Sequence, residues 1–213
     1  HAGTPAEVEE LVQRVADARA RVGRDGAVMF DAHSMLPLPL VKQFAGYLKP
    51  DDLLFLEEAW VPGNIEAMHK LREAVPVPLA TGERDRTIWE VREILEAQVI
   101  DILQPDCGHG GGITQMLKVA ALCEAHHVPI APHCTMSYLG LTASLHVAAT
   151  VAFFLSVPTK SVIEPSGIGT RSEMPSNFPF ILVMTRLGAR AAPVDVGTIF
   201  TAAPRARRRS LWG

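Results

Sequence analysis

The sequence contains little cysteine and almost no excess of charge of either sign. Its three cysteines, Cys107, Cys123 and Cys134, do not form a disulfide framework, and no CxxC pair for zinc is present. We therefore expect free thiols in a reducing, cytoplasmic compartment. The formal net charge is −3, which is too small for nucleic-acid binding through a broad electrostatic surface.

A signal peptide and a convincing membrane span are also missing. The stretch 139–157 is apolar, but it contains Ser144, His146 and Thr150, so we interpret it as a buried helix running into a strand. Hydrophobic residues make up 48% of the chain and charged residues 20%, which is typical of a globular protein. The chain begins with His1 rather than Met, which indicates a fragment.

Short apolar runs alternate with helical patterns, an order that favours parallel strands joined by crossover helices. Six polar residues each stand at the C-terminal end of one such run, at steps of 26, 26, 23, 27 and 31 residues. This step is about one strand, one helix and two loops, the repeat of a (β/α) barrel, whose chemistry lies at that end of the strands. The six are Asp31, Glu57, Glu83, Asp106, His133 and Glu164.

The first three of these residues are acids, and in a barrel they project from neighbouring strands toward the axis. Three carboxylates with open positions for water or substrate suit a hard divalent cation, Mg²⁺ before any other. Each acid alone could equally be a helix cap or an ion-pair partner, but those roles do not require a common phase. Glu58 follows Glu57 directly, and we choose Glu57 as the inward residue, although alternation does not decide between them.

Two histidines stand where they could move protons. His33 lies two residues after Asp31, so on a continuing strand both side chains face the same side; the alternative is a surface histidine in a loop. His133 follows a strand next to the one that ends at Asp106, so Asp106 could orient one ring nitrogen and leave the other as a base. His109 lies in a glycine-rich loop, 108–112, where we interpret the glycines as room for a turn and keep a substrate contact as an alternative for His109.

The motifs resemble those of the enolase superfamily, within it the mandelate-racemase-like branch and most closely the galactonate dehydratase-like acid-sugar dehydratases. They occur in the family's order and cover about residues 1–165. The matching segments are FDAH (30–33), FLEEA (55–59), ATGER (80–84), DILQPD (101–106), GGIT (111–114) and APHC (131–134).

The resemblance implies an α/β fold, a partial TIM-like (β/α)7β barrel with its strands 3–8, and a role for each matched residue. The implied Mg²⁺ ligands are Asp31, Glu57 and Glu83. The implied catalytic residues are His133 as base, Asp106 as its dyad partner, His33 as the proton donor to the leaving β-hydroxyl, and Glu164 as the hydrogen-bond partner of the substrate carboxylate.

The implied reaction is Mg²⁺-dependent dehydration of a sugar acid, an aldonate, to a 2-keto-3-deoxy acid. Two alternatives stay open: racemisation or epimerisation at the same α-carbon, and a non-catalytic truncated fragment. The implied partner is the small-molecule substrate, with no nucleic acid and no membrane, and we expect the full-length parent to be a homo-oligomer.

The chain also departs from the family pattern. By the family's pattern we expect it to begin at the helix after the second barrel strand, without the N-terminal capping domain and two strands, and we expect the chain alone to be inactive and aggregation-prone. Glu164 comes about five residues late by the family's spacing. We divide the chain into a partial barrel, residues 1–170, and a C-terminal segment, 171–213, of uncertain structure with a basic tail.

Overall fold

The computed structural model describes the backbone of residues 4–23, 26–134, 138–151, 162–164, 167–169 and 180–185, with side chains up to residue 151. Helices and strands alternate through most of this length. The helices are α1 (Pro5–Val22), α2 (Leu38–Ala45), α3 (Ile65–Arg72), α4 (Ile88–Glu96), α5 (Gly112–Ala125) and α6 (Tyr138–Ala148). The strands are β1 (Gly26–Asp31), β2 (Phe55–Glu57), β3 (Leu79–Thr81), β4 (Ile102–Leu103), β5 (Val162–Glu164), β6 (Gly167–Gly169) and β7 (Phe180–Thr185).

The helix boundaries follow from local signals in the sequence. The Thr4 side chain accepts from the Glu7 backbone amide and the Glu7 side chain accepts from the Thr4 backbone amide, so a capping box starts α1. Thr87 and Glu90 form a second capping box at the start of α4. The capping box of α4 ends the loop that follows β3, and this loop carries Glu83.

Strands β1 to β4 are parallel and adjacent in chain order, which confirms the predicted crossover topology. Parallel bridges pair Leu103 with Ile130 and Asp106 with His133, so residues 130–133 extend the sheet beyond β4. All these strands therefore end on the same side of the fold, and the loops that follow them are neighbours.

Alternate residues of the parallel strands pack into two separate clusters. The cluster on the helix side includes Val28, Phe30, Leu56, Leu79, Leu103 and Ile130. The cluster on the opposite, inner side consists of Met29, Phe55, Ala80, Ile102 and Ala131. Side chains alternate along a strand. The two clusters therefore show whether a residue at the end of a strand lies on the helix side or on the inner side.

Strand β7 lies against the free edge of β1. It pairs antiparallel with the whole of β1, from Gly26 opposite Thr185 to Asp31 opposite Phe180. The sequence predicted an open edge there and no definite structure after residue 170. The apolar, partly β-branched run of β7 instead supplies partners for the outer backbone groups of β1.

Glu164 ends a strand, as predicted, but β5 is not next to β1. Strand β7 stands between them, and β5 pairs antiparallel with both β6 and β7. In the described residues, one strand, β7, therefore separates the strand that carries Glu164 from β1. The strand expected at the end of the stretch 139–157 and the basic tail lie outside the described residues.

Candidate active site

Asp31 and Glu57 face each other at the ends of β1 and β2. They are register partners and both are buried. Asp31 lies two residues after Met29 and Glu57 two after Phe55, and both of these belong to the inner cluster. Alternation therefore places both acids on the inner side, which supports the choice of Glu57 over Glu58.

His33 reaches Asp31 through a turn and not along a strand. Strand β1 ends at Asp31, and His33 and Ser34 adopt φ values of 51° and 54°. Asp31 Oδ1 accepts from the His33 backbone amide at 2.8 Å, and Asp31 Oδ2 lies 2.7 Å from His33 Nε2. The predicted proximity is present, but the predicted continuing strand is wrong, because the Asp31 carboxylate closes an Asx-type turn.

Asp106 and His133 form the predicted pair. His133 Nδ1 lies 2.7 Å from Asp106 Oδ2, and both side chains are buried. The other ring nitrogen, Nε2, lies 2.8 Å from Glu83 Oε2. The aspartate thus fixes the orientation of the imidazole and directs Nε2 toward the loop that follows β3.

The glycine-rich loop holds the dyad aspartate from its other side. Asp106 Oδ1 accepts from the backbone amides of Gly108 and His109 at 2.7 and 3.0 Å. Burial alone would raise the pKa of Asp106, but the hydrogen bond with His133, those two amides and the attraction to His133 outweigh it and lower the pKa. This carboxylate is therefore built to stay ionised beside the imidazole.

The glycines of this loop make the turn possible, as predicted. Gly111 and Gly112 have φ values of 87° and 81°, and a Cβ on Gly110 would lie 3.0 Å from the Asp106 carbonyl oxygen. His109 is exposed, and its ring centroid lies 6.4 Å from that of His133. His109 therefore lies next to the Asp106–His133 pair and is exposed. A contact between His109 and the substrate stays a prediction.

Glu83 lies in the loop two residues beyond β3, and its carboxylate contacts His133 as well as Arg84, whose Nε is 3.7 Å from Oε1. Among the residues whose side chains are described, no three His, Cys, Asp or Glu lie close enough together to hold one metal ion. The chemical type of the predicted ligands still suits Mg²⁺, which prefers carboxylate oxygens. The three carboxylates also follow three adjacent parallel strands, β1, β2 and β3. Metal binding by all three stays a prediction.

Glu58, which the sequence left aside, organises the loops around these acids. Its side chain is 1% exposed and accepts from Ser34 Oγ at 2.7 Å, Thr81 Oγ1 at 2.6 Å and Arg84 Nε at 2.7 Å. These donors come from the loop after β1, from the end of β3 and from the loop that carries Glu83. Glu58 therefore fastens together the segments on which His33, Glu57 and Glu83 stand; no spacing signal pointed to it.

Residues 1–177 match the protein family described as "Enolase C-terminal domain-like". The chain belongs to this family. The fold and the order of the motifs agree with this membership, and the resemblance to the enolase superfamily is confirmed.

Relatives and solved structures support the same placement of this enolase-family chain. It is 38% identical over 140 residues to "D-galactonate dehydratase" from Ralstonia nicotianae, a match covering 66% of the chain and 37% of the relative. A mandelate racemase/muconate lactonizing enzyme-like protein from Rubrobacter xylanophilus has 32% identity and a TM-score of 0.69, over 79% of the chain and 45% of that structure. An enolase from Agrobacterium radiobacter, bound to Na and L-malate, has 32% identity and a TM-score of 0.66, over 70% and 38%.

The chain thus spans little more than a third of the length of the curated relative it matches. Its α/β fold with a parallel sheet corresponds to the TIM-barrel domain of the superfamily and covers a part of it. All three cysteines lie in the described part, and none forms a disulfide. In the described residues, no helix is long and apolar enough to cross a membrane.

Proposed function

We propose that this chain carries the catalytic barrel of a Mg²⁺-dependent dehydratase of sugar acids. The observation that supports this most is the contact between Asp106 and His133, which leaves His133 Nε2 directed at the Glu83 carboxylate, 2.8 Å away. The relative named D-galactonate dehydratase suggests the substrate class, an aldonate such as D-galactonate. A cytoplasmic location and self-association of the complete protein stay predictions of the sequence.

In this proposal Asp31, Glu57 and Glu83 would hold the metal ion. Bound Mg²⁺ supplies electrophilic stabilisation for the negative charge that develops on the substrate carboxylate when the α-proton leaves. Without such help an imidazole is far too weak a base for this proton.

Two histidines carry out the proton transfers in this proposal. His133 Nε2 takes the α-proton, and Asp106 holds the ring by Nδ1 and stabilises the imidazolium that forms. His33 gives a proton to the β-hydroxyl, which departs as water, and Glu164 would hydrogen-bond the substrate carboxylate. The enol product gains a proton at the β-carbon as it becomes the 2-keto-3-deoxy acid, so the net change is the loss of one water.

The test is turnover of a panel of aldonates, D-galactonate among them, by the protein expressed from its complete gene. With Mg²⁺ we expect a 2-keto product detectable with semicarbazide; EDTA should abolish it, and added Mg²⁺ should restore it. Appearance of an epimer in place of the keto acid would favour the racemase alternative. No product from any acid in the panel would refute the dehydratase proposal.

A further inference from the structure

Gln104 is a buried amide that nothing in the described part of the chain satisfies. Its relative exposure is 0%, and neither Oε1 nor Nε2 has a hydrogen-bond partner among the described residues. Buried polar side-chain atoms in native proteins are hydrogen-bonded in the large majority of cases, and leaving one unmet is costly. This amide therefore requires a partner from outside the described residues.

The strand that carries Gln104 directs this amide to the inner side of the fold. Ile102, two residues earlier, packs in the inner cluster, and Asp106, two residues later, contacts His133. Leu103 packs on the opposite, helix side. By alternation, Gln104 lies on the inner face, between the inner apolar cluster and the Asp106–His133 pair.

Small residues flank Gln104 on both neighbouring segments. Gly82 has a φ of 140°, and a Cβ there would lie 2.7 Å from the Gln104 backbone nitrogen, so no side chain fits at that position. On the other side the Ala131 amide donates to the Leu103 carbonyl, which makes the small Ala131 the neighbour of Gln104. Both flanking positions are thus small and apolar, so neither side chain offers the amide a polar partner.

The chemistry of the amide narrows the class of ligand. Gln offers one acceptor oxygen and two N–H donors. A carboxylate only accepts, so it would leave Oε1 unmet, whereas a hydroxyl group both donates and accepts. We propose, on the basis of the proposed function, that Gln104 binds a hydroxyl group of the polyhydroxy-acid substrate next to the carbon from which His133 takes the proton, and so helps to determine specificity.

The experiment replaces the amide by an apolar side chain of similar length, Gln104→Met. Removing an amide that has no partner among the described residues should leave the unfolding temperature unchanged or higher, while kcat/KM for D-galactonate falls by about 10- to 100-fold. The matched control is Gln43→Met on the exposed side of α2, which should match wild type in both measurements. The protein is again expressed from its complete gene.

A binding measurement separates this inference from the proposed reaction. In the His133→Asn background, where the acid is not consumed, D-galactonate should raise the unfolding temperature, and Gln104→Met should abolish most of that rise. This result supports the role of Gln104 even if wild type forms no keto acid. An unchanged kcat/KM, a lower unfolding temperature for Gln104→Met alone, or no D-galactonate-induced rise with Gln104 intact would each overturn the inference.

Discussion

Asp101 and Glu58 lie at opposite ends of the parallel sheet. Both accept hydrogen bonds from separate segments of the chain, but they connect different parts of the fold. At the N-terminal end, Asp101 accepts from Arg72 Nη2 at 2.9 Å and from the Leu79 amide at 2.8 Å. At the C-terminal end, Glu58 accepts from Ser34, Thr81 and Arg84. Asp101 joins a helix end to a strand start, whereas Glu58 joins the loops that carry the candidate catalytic residues.

The comparison teaches that the local contacts of an acid do not reveal its role, whereas its end of the barrel does. In barrels of this kind the N-terminal face contributes stability and the C-terminal face carries the chemistry. Changes at Asp101 should therefore affect folding alone, and changes at Glu58 should affect folding and turnover together.

The largest effect is expected from Glu58→Leu. The buried Thr81 hydroxyl loses its acceptor and Arg84 its partner, so we expect the free energy of unfolding to fall by about 3 kcal/mol. Since the loops of His33 and Glu83 lose their common anchor, kcat/KM should fall by about 100-fold. Chemical denaturation and steady-state kinetics measure the two effects, and Glu58→Gln, which keeps one oxygen acceptor, should lie between wild type and Glu58→Leu.

Asp101→Ala is the matched control at the other end of the strands. It removes an acceptor from Arg72 and from the Leu79 amide, so we expect a loss of about 1–2 kcal/mol of stability. The kcat/KM of the folded protein should stay within about twofold of wild type. A variant of Glu58 that loses stability but keeps full kcat/KM would erase the contrast between the two ends.

A smaller, pH-dependent effect is expected at Asp85, in the loop that also carries Glu83. Burial, followed by repulsion from Glu58 and Glu90, raises the pKa of Asp85 from 3.8 to about 6. An acid with a raised pKa in the folded state costs stability as pH rises from its ordinary pKa to the raised one, and the cost stays constant above it. Asp85→Asn should thus add about 2 kcal/mol at pH 8 and clearly less at pH 4.5.

Urea denaturation at both pH values in the presence of EDTA checks this prediction. Glu124→Gln, which changes an exposed carboxylate on α5, is the control and should show no such difference. An equal gain from Asp85→Asn at pH 4.5 and pH 8 would exclude a titrating, buried carboxylate at this position.

The regular spacing of polar residues sufficed to predict the parallel strands, because a strand–helix repeat forces a period that scattered acids would not keep. It also predicted the Asp106–His133 contact, since neighbouring parallel strands end side by side. Thr4, with Pro5 and Glu7 after it, is a local sequence signal for a helix start, and α1 begins there.

Features that depend on backbone turns and on the packing between strands were not predictable. The left-handed turn at His33 depends on the Asp31 carboxylate accepting a backbone amide, and alternation alone cannot show that. Glu58 looked like the unused neighbour of Glu57, because its donors come from three separate segments. The antiparallel pairing of β7 was missed because a long-range edge contact has no local sequence signal.

The most direct measurement is the rate at which D-galactonate gives a 2-keto product with wild type and with His133→Asn, both from the complete gene and both saturated with Mg²⁺. We predict that His133→Asn lowers kcat by about 10²- to 10⁴-fold, the usual worth of a positioned base, with little change in unfolding temperature. Formation of the keto acid by His133→Asn at the wild-type rate would contradict the assignment of His133 as the base.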